Sequence, residues 1–332
     1  MKINNNSKMP RIFCVRQGGS MKVGVPKGLL YYKYHPFIES FLTELGAEII
    51  TSADTNKNIL NGGVKYCVDE ACLPIKIFHG HIMDIKDKCD LLIIPRIMRV
   101  RPREFICPKF CGLPEMIIYS IPNMPKVMTE PIYATNEKEL YGWCKKLAGM
   151  ITKDKSKVRP AFNKALEEQR NFKFGIKDEG FKKNIALVGH PYNLYDTFIN
   201  MNIVKKLNKL GVGVITEEYM AQEQIKSEVK TLFKRPFWTF AANSYGFTTS
   251  IAKNNEIDGA IYISSFACGI DSVVLELIKE KIGDFPLLVL KVDEHTGEGG
   301  LDTRIEAFID MIERKKNNED NISTLRQHIS CS

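Results

Sequence analysis

The feature that most constrains this chain is a strand–helix–strand rhythm that starts twice. Residues 21–26 (Met-Lys-Val-Gly-Val-Pro) read as a short strand, followed by a loop with Gly28. The run 35–45 then carries Phe37, Ile38, Phe41, Leu42 and Leu45 at helical spacing, Gly46 stops it, and 47–51 read as a second strand. Residues 74–85 predict another helix and 90–95 (Asp-Leu-Leu-Ile-Ile-Pro) an apolar strand of the kind buried in a parallel sheet. A basic loop over 96–103, a helix over 112–120, a strand over 126–129 and a helix over 136–150 complete a first lobe, residues 21–150.

Residues 151–182 are highly charged and read as a connection, with a helix over 160–169. The rhythm then restarts: a strand over 183–189, a helix over 196–210 ending at Gly211, and a strand over 212–216. After these come a helix over 244–254, a strand over 259–264, a helix over 271–281, a strand over 286–292 and a helix over 303–314. The fold class expected is α/β, with two Rossmann-like lobes whose parallel sheets face each other across a cleft, the second lobe spanning 183–315. Residues 1–20 are expected to be a flexible arm or to follow from a mis-assigned start, and 316–332 a frayed polar tail. No Gly-x-Gly-x-x-Gly follows the first strand, so dinucleotide binding is not predicted.

Composition narrows the function classes. With 332 residues, 44% hydrophobic and 26% charged, the chain has room for about two ordinary domains, each with a core. The net charge of +8 is spread over short lysine patches rather than an Arg-rich block, so no nucleic-acid partner is expected. No apolar run approaches the roughly 20 residues needed to cross a bilayer, and the first twenty lack a signal-peptide core, so no membrane partner is expected either. Nine cysteines with irregular spacing argue for thiols or metal ligands in a reducing, cytoplasmic setting rather than for a disulfide framework.

Three of those cysteines share a setting. Cys72, Cys107 and Cys268 each have Pro or Gly within two residues and each stands where a loop enters a predicted helix, where backbone N–H groups can donate to anionic sulfur. Neither the Cys67/Cys72 nor the Cys107/Cys111 step matches a zinc ribbon or a ferredoxin run. Spacing alone therefore leaves both a metal role and plain core thiols open. Cys14, Cys89, Cys144 and Cys331 read as core or surface thiols. His79 and His81 stand two apart on a helix, do not share a face, and read as satisfied structural histidines. Asp69 and Glu70 suit a helix cap, and Thr303 with Glu306 a capping box. The cap leaves Asp293, Glu294 and His295 unexplained, open between cleft chemistry and hydrogen bonding between the lobes.

Several stretches together resemble a known family. They are Lys22 to Tyr32, Asp69-Glu-Ala-Cys72-Leu-Pro-Ile-Lys76 with Gly80-His81, Ile94-Pro-Arg96, Cys107-Pro-Lys-Phe110, Gly189-His-Pro-Tyr-Asn193, Cys268-Gly-Ile-Asp-Ser272, and Asp293-Glu-His295 with Thr303 to Phe308. In order over residues 21–315, they resemble the acyl-CoA dehydratase activase-related proteins. Those are relatives of the iron–sulfur subunits of 2-hydroxyacyl-CoA dehydratases and of benzoyl-CoA-reductase-type enzymes. The resemblance implies a [4Fe–4S]-type cluster, or a larger one, between two lobes, with Cys72, Cys107 and Cys268 as ligands. Ile270 stands where the family usually has proline, which changes loop rigidity more than ligation.

The resemblance also implies an ATP-dependent activase as electron donor, because this chain has no Walker-type phosphate loop. A second dehydratase-like subunit or a homodimer partner is the other expectation. On this reading His81, Asp293, Glu294 and His295 are the candidate catalytic groups, and Lys76, Gly269, Asp271 and Ser272 the candidate cofactor-binding residues. A cluster carrier or scaffold without catalysis, and a zinc- or thiol-stabilised binding module, are the rival readings.

Overall fold

Two parallel four-stranded sheets organise the chain, seen here in a computed structural model that describes residues 20–254 and 257–330. The expectations for residues 1–19, with Cys14, and for Cys331 lie outside the described residues. The first lobe runs β1 (Lys22–Val25), α1 (Tyr31–Glu44), β2 (Glu48–Thr51), α2 (Lys57–Tyr66), α3 (Leu73–Ile85), β3 (Leu91–Ile93), β4 (Arg96–Arg99), α4 (Pro108–Cys111), α5 (Leu113–Ser120), β5 (Lys126–Met128), β6 (Pro131–Tyr133), α6 (Glu137–Ile151) and α7 (Val158–Asn171). The second runs β7 (Lys183–Gly189), α8 (Pro191–Leu194), α9 (Ile203–Lys209), β8 (Val212–Ile215), α10 (Gln222–Val229), α11 (Thr239–Asn254), β9 (Gly259–Ser265), α12 (Gly269–Ile282), β10 (Leu287–Val292) and α13 (Glu298–Ser330).

The first sheet is ordered β2-β1-β3-β5 and the second β8-β7-β9-β10, with every pairing parallel. Numbered within its own sheet, each order is 2-1-3-4, so the rhythm read twice from the sequence folds into one topology twice. In such a sheet the connections leave to opposite sides after the first and third strands, and a crevice opens at their carboxyl ends. Those ends are the places to look for a site.

Helix α3 fixes how the lobes meet. Leu73 to Ile82 and Ile85 are all buried, so this helix is enclosed on every side, as only a helix inside a core can be. Leu73 and Ile77 belong to the core built on the second sheet. Ile75, Phe78, Ile82 and Ile85 belong to a core of the first lobe, which also takes in Tyr192 and Phe240 from the second. Burying each such Leu, Ile or Phe stabilises by roughly 1.5–3 kcal/mol. The space between the sheets is therefore filled by packed helix over this stretch. Helix α2 joins through a close backbone approach: a Cβ on Gly63 would strike the carbonyl of Lys76, and one on Gly80 the carbonyl of Ile59.

Several local expectations are corrected. Residues 96–99 are strand, not loop, and pair with β6 in a small separate sheet. The helix expected over 196–210 is broken: Asp196 accepts from the N–H groups of Phe198 and Ile199 in a tight turn, and Met201 and Asn202 are left-handed (φ 51° and 56°). Helix α11 begins five residues earlier than expected, at Thr239, and Thr239 to Ile251 are buried throughout. Thr303 does not cap a helix, because α13 starts at Glu298 and the Thr303 hydroxyl donates to the Gly299 carbonyl inside it. The same helix continues to Ser330, so the backbone of the expected tail is helical. Asp69 and Glu70 do not cap α3; Cys72 is its N-cap.

A second interlobe contact is polar. Arg101 donates to Asn243 Oδ1 (2.6 Å), Asn243 Nδ2 to Glu217 Oε1 (2.7 Å), and Lys33 pairs with Glu218 (3.7 Å). Burial, and then the Glu218 carboxylate, push Glu217 up to about 7. A carboxyl raised in the fold binds protons that the unfolded chain has already released. Stability is therefore expected to fall as pH rises from the ordinary glutamate range towards about 7. Denaturant melts across that window check this, and Glu217→Gln should flatten the slope.

Candidate metal centre at the lobe interface

Cys72, Cys107 and Cys268 are the N-cap residues of α3, α4 and α12. Pro in the first turn of α3 and of α4 stops each helix from extending backwards past its cysteine. None of the three sulfurs closes a cap hydrogen bond to the helix start. The N–H groups of Ile75, Lys109 and Asp271 nonetheless present their positive ends to them and pull the thiol pKa values down. Burial outweighs that pull. It raises Cys72, pushes Cys107 up to about 11 and Cys268 up to about 12; Cys72 adds to the rise at Cys107, and Cys72 and Cys107 to that at Cys268. Three separate segments thus bring their sulfurs within electrostatic reach of each other.

Tyr192 lies among them. It is buried, and after burial itself the charges of Cys107, Cys72, Cys268 and Asp271 hold its phenol well above the usual tyrosine range. Its hydroxyl is 2.6 Å from His190 Nδ1, His190 Nε2 is 3.3 Å from Asp271 Oδ1, and the Tyr262 hydroxyl donates to the same Asp271 oxygen (2.8 Å). The Tyr192 hydroxyl and Nδ1 share one hydrogen bond whose direction the imidazole tautomer sets, and Nε2 is turned towards the Asp271 carboxylate. Ligand atoms of His190, Cys268 and Asp271 all lie within 4.8 Å of one another. His190 Nε2 and Asp271 Oδ2 are buried without a hydrogen-bond partner. Buried polar atoms rarely stay unpaired, so two orphans beside three thiols mark a place built to hold something.

The position follows from the topology. His190 leaves the end of β7 and Cys268 stands three residues beyond β9, the first and third strands of the second sheet. Gly189 makes the sharp exit. Its φ is +147°, and a Cβ there would strike the Ile263 carbonyl on the neighbouring strand. Ser265 donates to Asn193 Oδ1 (2.9 Å) and ties the two strand ends together.

The other candidate residues divide. Lys76, almost fully buried on α3, ion-pairs with Glu294 beyond β10 and so joins the lobes. Burial pushes Glu294 up, but the Lys76 ammonium wins and its carboxyl sits below the ordinary range. Being depressed, the carboxylate lends its stability above the ordinary glutamate range and loses it as pH falls through the lowered value. Glu294→Ala is expected to cost about 2–3 kcal/mol in a denaturant melt, because Lys76 keeps a buried charge with no partner. Asp293 accepts from the N–H of His295 and the hydroxyl of Thr296, which folds its own loop. His295 is exposed.

His81 has both ring nitrogens occupied. Nδ1 faces the Ser52 hydroxyl (2.9 Å) and Nε2 the Thr55 hydroxyl (3.1 Å), which donates across the interface to Asp196 (2.6 Å). Burial lowers its pKa to about 4, so the ring is neutral and serves as a pin between the lobes. His79 is fixed on the Ile75 carbonyl. Gly269 opens α12, Ser272 donates to the Cys268 carbonyl (3.0 Å), and Asp271 is the buried carboxylate already described. Cys67, at the end of α2, lies near enough to Cys72 to be raised by it; Cys111 is exposed and Cys144 sits in the core. His190, Tyr192 and Tyr262 carry no site role in the sequence reading. The signal for the first two was their place directly after a first strand.

Fold and site together define a two-lobed α/β protein with a cysteine-lined centre where the lobes meet. Residues 22–220 match the family described as CoA enzyme activase uncharacterised domain (DUF2229), and residues 136–312 match 2-hydroxyglutaryl-CoA dehydratase, D-component. Each match covers more than half of the chain, which therefore belongs to the activase-related acyl-CoA dehydratase family. No curated protein matches it. Among the described residues no helix is long and apolar enough to cross a membrane.

Proposed function

We propose that this chain is an iron–sulfur protein of the 2-hydroxyacyl-CoA dehydratase/activase superfamily. Cys72, Cys107 and Cys268 hold a [4Fe–4S]-type cluster between the lobes, and low-potential electrons come from a separate ATP-dependent activase. The observation that carries the reading is the gathering of three half-buried N-cap thiols near Tyr192, next to two unpaired polar atoms. The donor set fits: soft sulfur ligands, helix N-termini aimed at them, and Lys109 near Cys72 and Cys107 to offset negative charge.

A bound cluster of this type supplies one-electron chemistry and an iron left open by three-cysteine ligation. The chain's own residues do the rest. Tyr192 excludes water from the space between the sulfurs and keeps a proton at its hydroxyl. His190 holds that hydroxyl at Nδ1 and turns Nε2 towards Asp271, which fixes the orientation of the tyrosine beside the sulfurs.

The test is anaerobic purification with iron, acid-labile sulfide and zinc counts, followed by spectra before and after an ATP-dependent activase is added. About four irons and four sulfides per chain, reducible by the activase, are expected. A colourless protein with one zinc would instead favour a single ion on His190, Cys268 and Asp271, a reading their mutual distances support. A reducible cluster without turnover on any acyl-CoA would favour a relay or scaffold subunit.

A further inference from the structure

The first lobe has the same 2-1-3-4 sheet as the second, yet none of the three clustered cysteines lines its equivalent crevice. What stands at the carboxyl ends of β1 and β3 is a cavity of about 350 Å³. Its floor is Val25, Pro26, Ile93 and Pro95, and α1, β4, β6, α6 and α7 close it with apolar and aromatic side chains. No lysine, arginine, aspartate or glutamate lines it. The volume falls at the lower end of the range of small-molecule sites, well above the roughly 150 Å³ of an apolar cavity known to take up benzene.

Two polar atoms in this lining are unpaired. His35 Nδ1 and Gln169 Oε1 are both buried with no hydrogen-bond partner. Three polar groups nearby are committed: Gln169 Nε2 donates to the Lys33 carbonyl (2.9 Å), Tyr31 to Glu39 (2.6 Å) and Trp143 to the Glu130 carbonyl (3.2 Å). His35 is held by stacking on Tyr31 (ring centroids 5.1 Å apart) and by an edge contact with Phe172 (5.0 Å). An amide oxygen can only accept, whereas an imidazole nitrogen can donate or accept. A hydroxyl or an amide satisfies both atoms, and with no cation in the lining a carboxylate or phosphate finds no counter-charge.

We propose that this cavity is a second binding site, for a neutral and mainly apolar small molecule bearing one hydroxyl or amide that hydrogen-bonds His35 Nδ1 and Gln169 Oε1. The site is independent of the thiol centre and of any cluster there. Isothermal titration of the full chain with benzyl alcohol, and with toluene as the analogue lacking the hydroxyl, tests it. Saturable one-to-one binding of benzyl alcohol is expected, about tenfold tighter than toluene. Gln169→Leu should remove that preference while leaving toluene binding in place, and Leu166→Trp, which fills the cavity, should abolish both. No saturable heat from benzyl alcohol, or equal affinity for the two probes in the unaltered chain, would overturn the proposal. So would a preference that survives Gln169→Leu. The Gln169→Leu result stands even if Leu166→Trp fails to fold.

Discussion

On the proposed function, replacing Cys72, Cys107 or Cys268 singly with alanine is expected to abolish iron binding, with affinity falling more than about a hundredfold, beyond the loss typical of a supporting residue. The three sulfurs come from two lobes, so no pair of them can recreate the missing corner by a local rearrangement. Cys111→Ala, at an exposed position, and Cys67→Ala, at the far end of α2, should retain normal iron. Iron and sulfide counts on anaerobically purified variants decide it; full iron in any of the three alanine variants would remove that residue from the ligand set. Loading should also depend on pH with a definite sign. Burial raises all three thiols, and ligation requires the thiolate, so incorporation releases protons and weakens as pH falls.

Gly80→Ala is expected to destabilise the fold by about 3 kcal/mol, the upper end for an overpacked core. The added methyl meets the Ile59 carbonyl, a backbone atom of α2 that cannot swing aside. Helix α3 must shift, and it carries Cys72 at its start and Lys76 one turn on. The variant should therefore lose metal as well as stability, although Gly80 touches neither. Thermal melts together with iron counts check the pair of effects. Gly112→Ala, where an added Cβ meets nothing, is the matched control and should leave both unchanged.

Much of the architecture is legible in the residues because local pattern and tertiary role agree. The apolar run around Leu91 to Ile93 reads as a strand of the kind buried in a parallel sheet, which β3 is, and the stop at Gly46 places β2. The Pro and Gly beside Cys72, Cys107 and Cys268 also advertise helix starts, which is where the cysteines stand. What periodicity misses depends on contacts remote in sequence. The strand Arg96–Arg99 lacks an apolar pattern and exists because β6 pairs with it. The break after Asp196 follows from an aspartate that turns the chain and also accepts a hydrogen bond from Thr55 of the other lobe. His81 reads from its spacing as a structural histidine and from the family resemblance as a cleft group, and Ser52 and Thr55 on its two nitrogens support the structural reading. His190 joins the centre through Asp271 and Tyr192 through Cys72, Cys107 and Cys268, all remote in sequence.

Helix α3 belongs to two hydrophobic cores at once, and this bears on how the molecule comes apart. Neither lobe can open without exposing a face of α3 that the other lobe needs covered. The two sheets should therefore melt as one cooperative unit rather than as independent domains, and the amides of α3 should exchange with solvent only through global opening. The centre at the lobe interface is then as durable as the whole molecule, and a cofactor held there would leave only when the entire chain lets go.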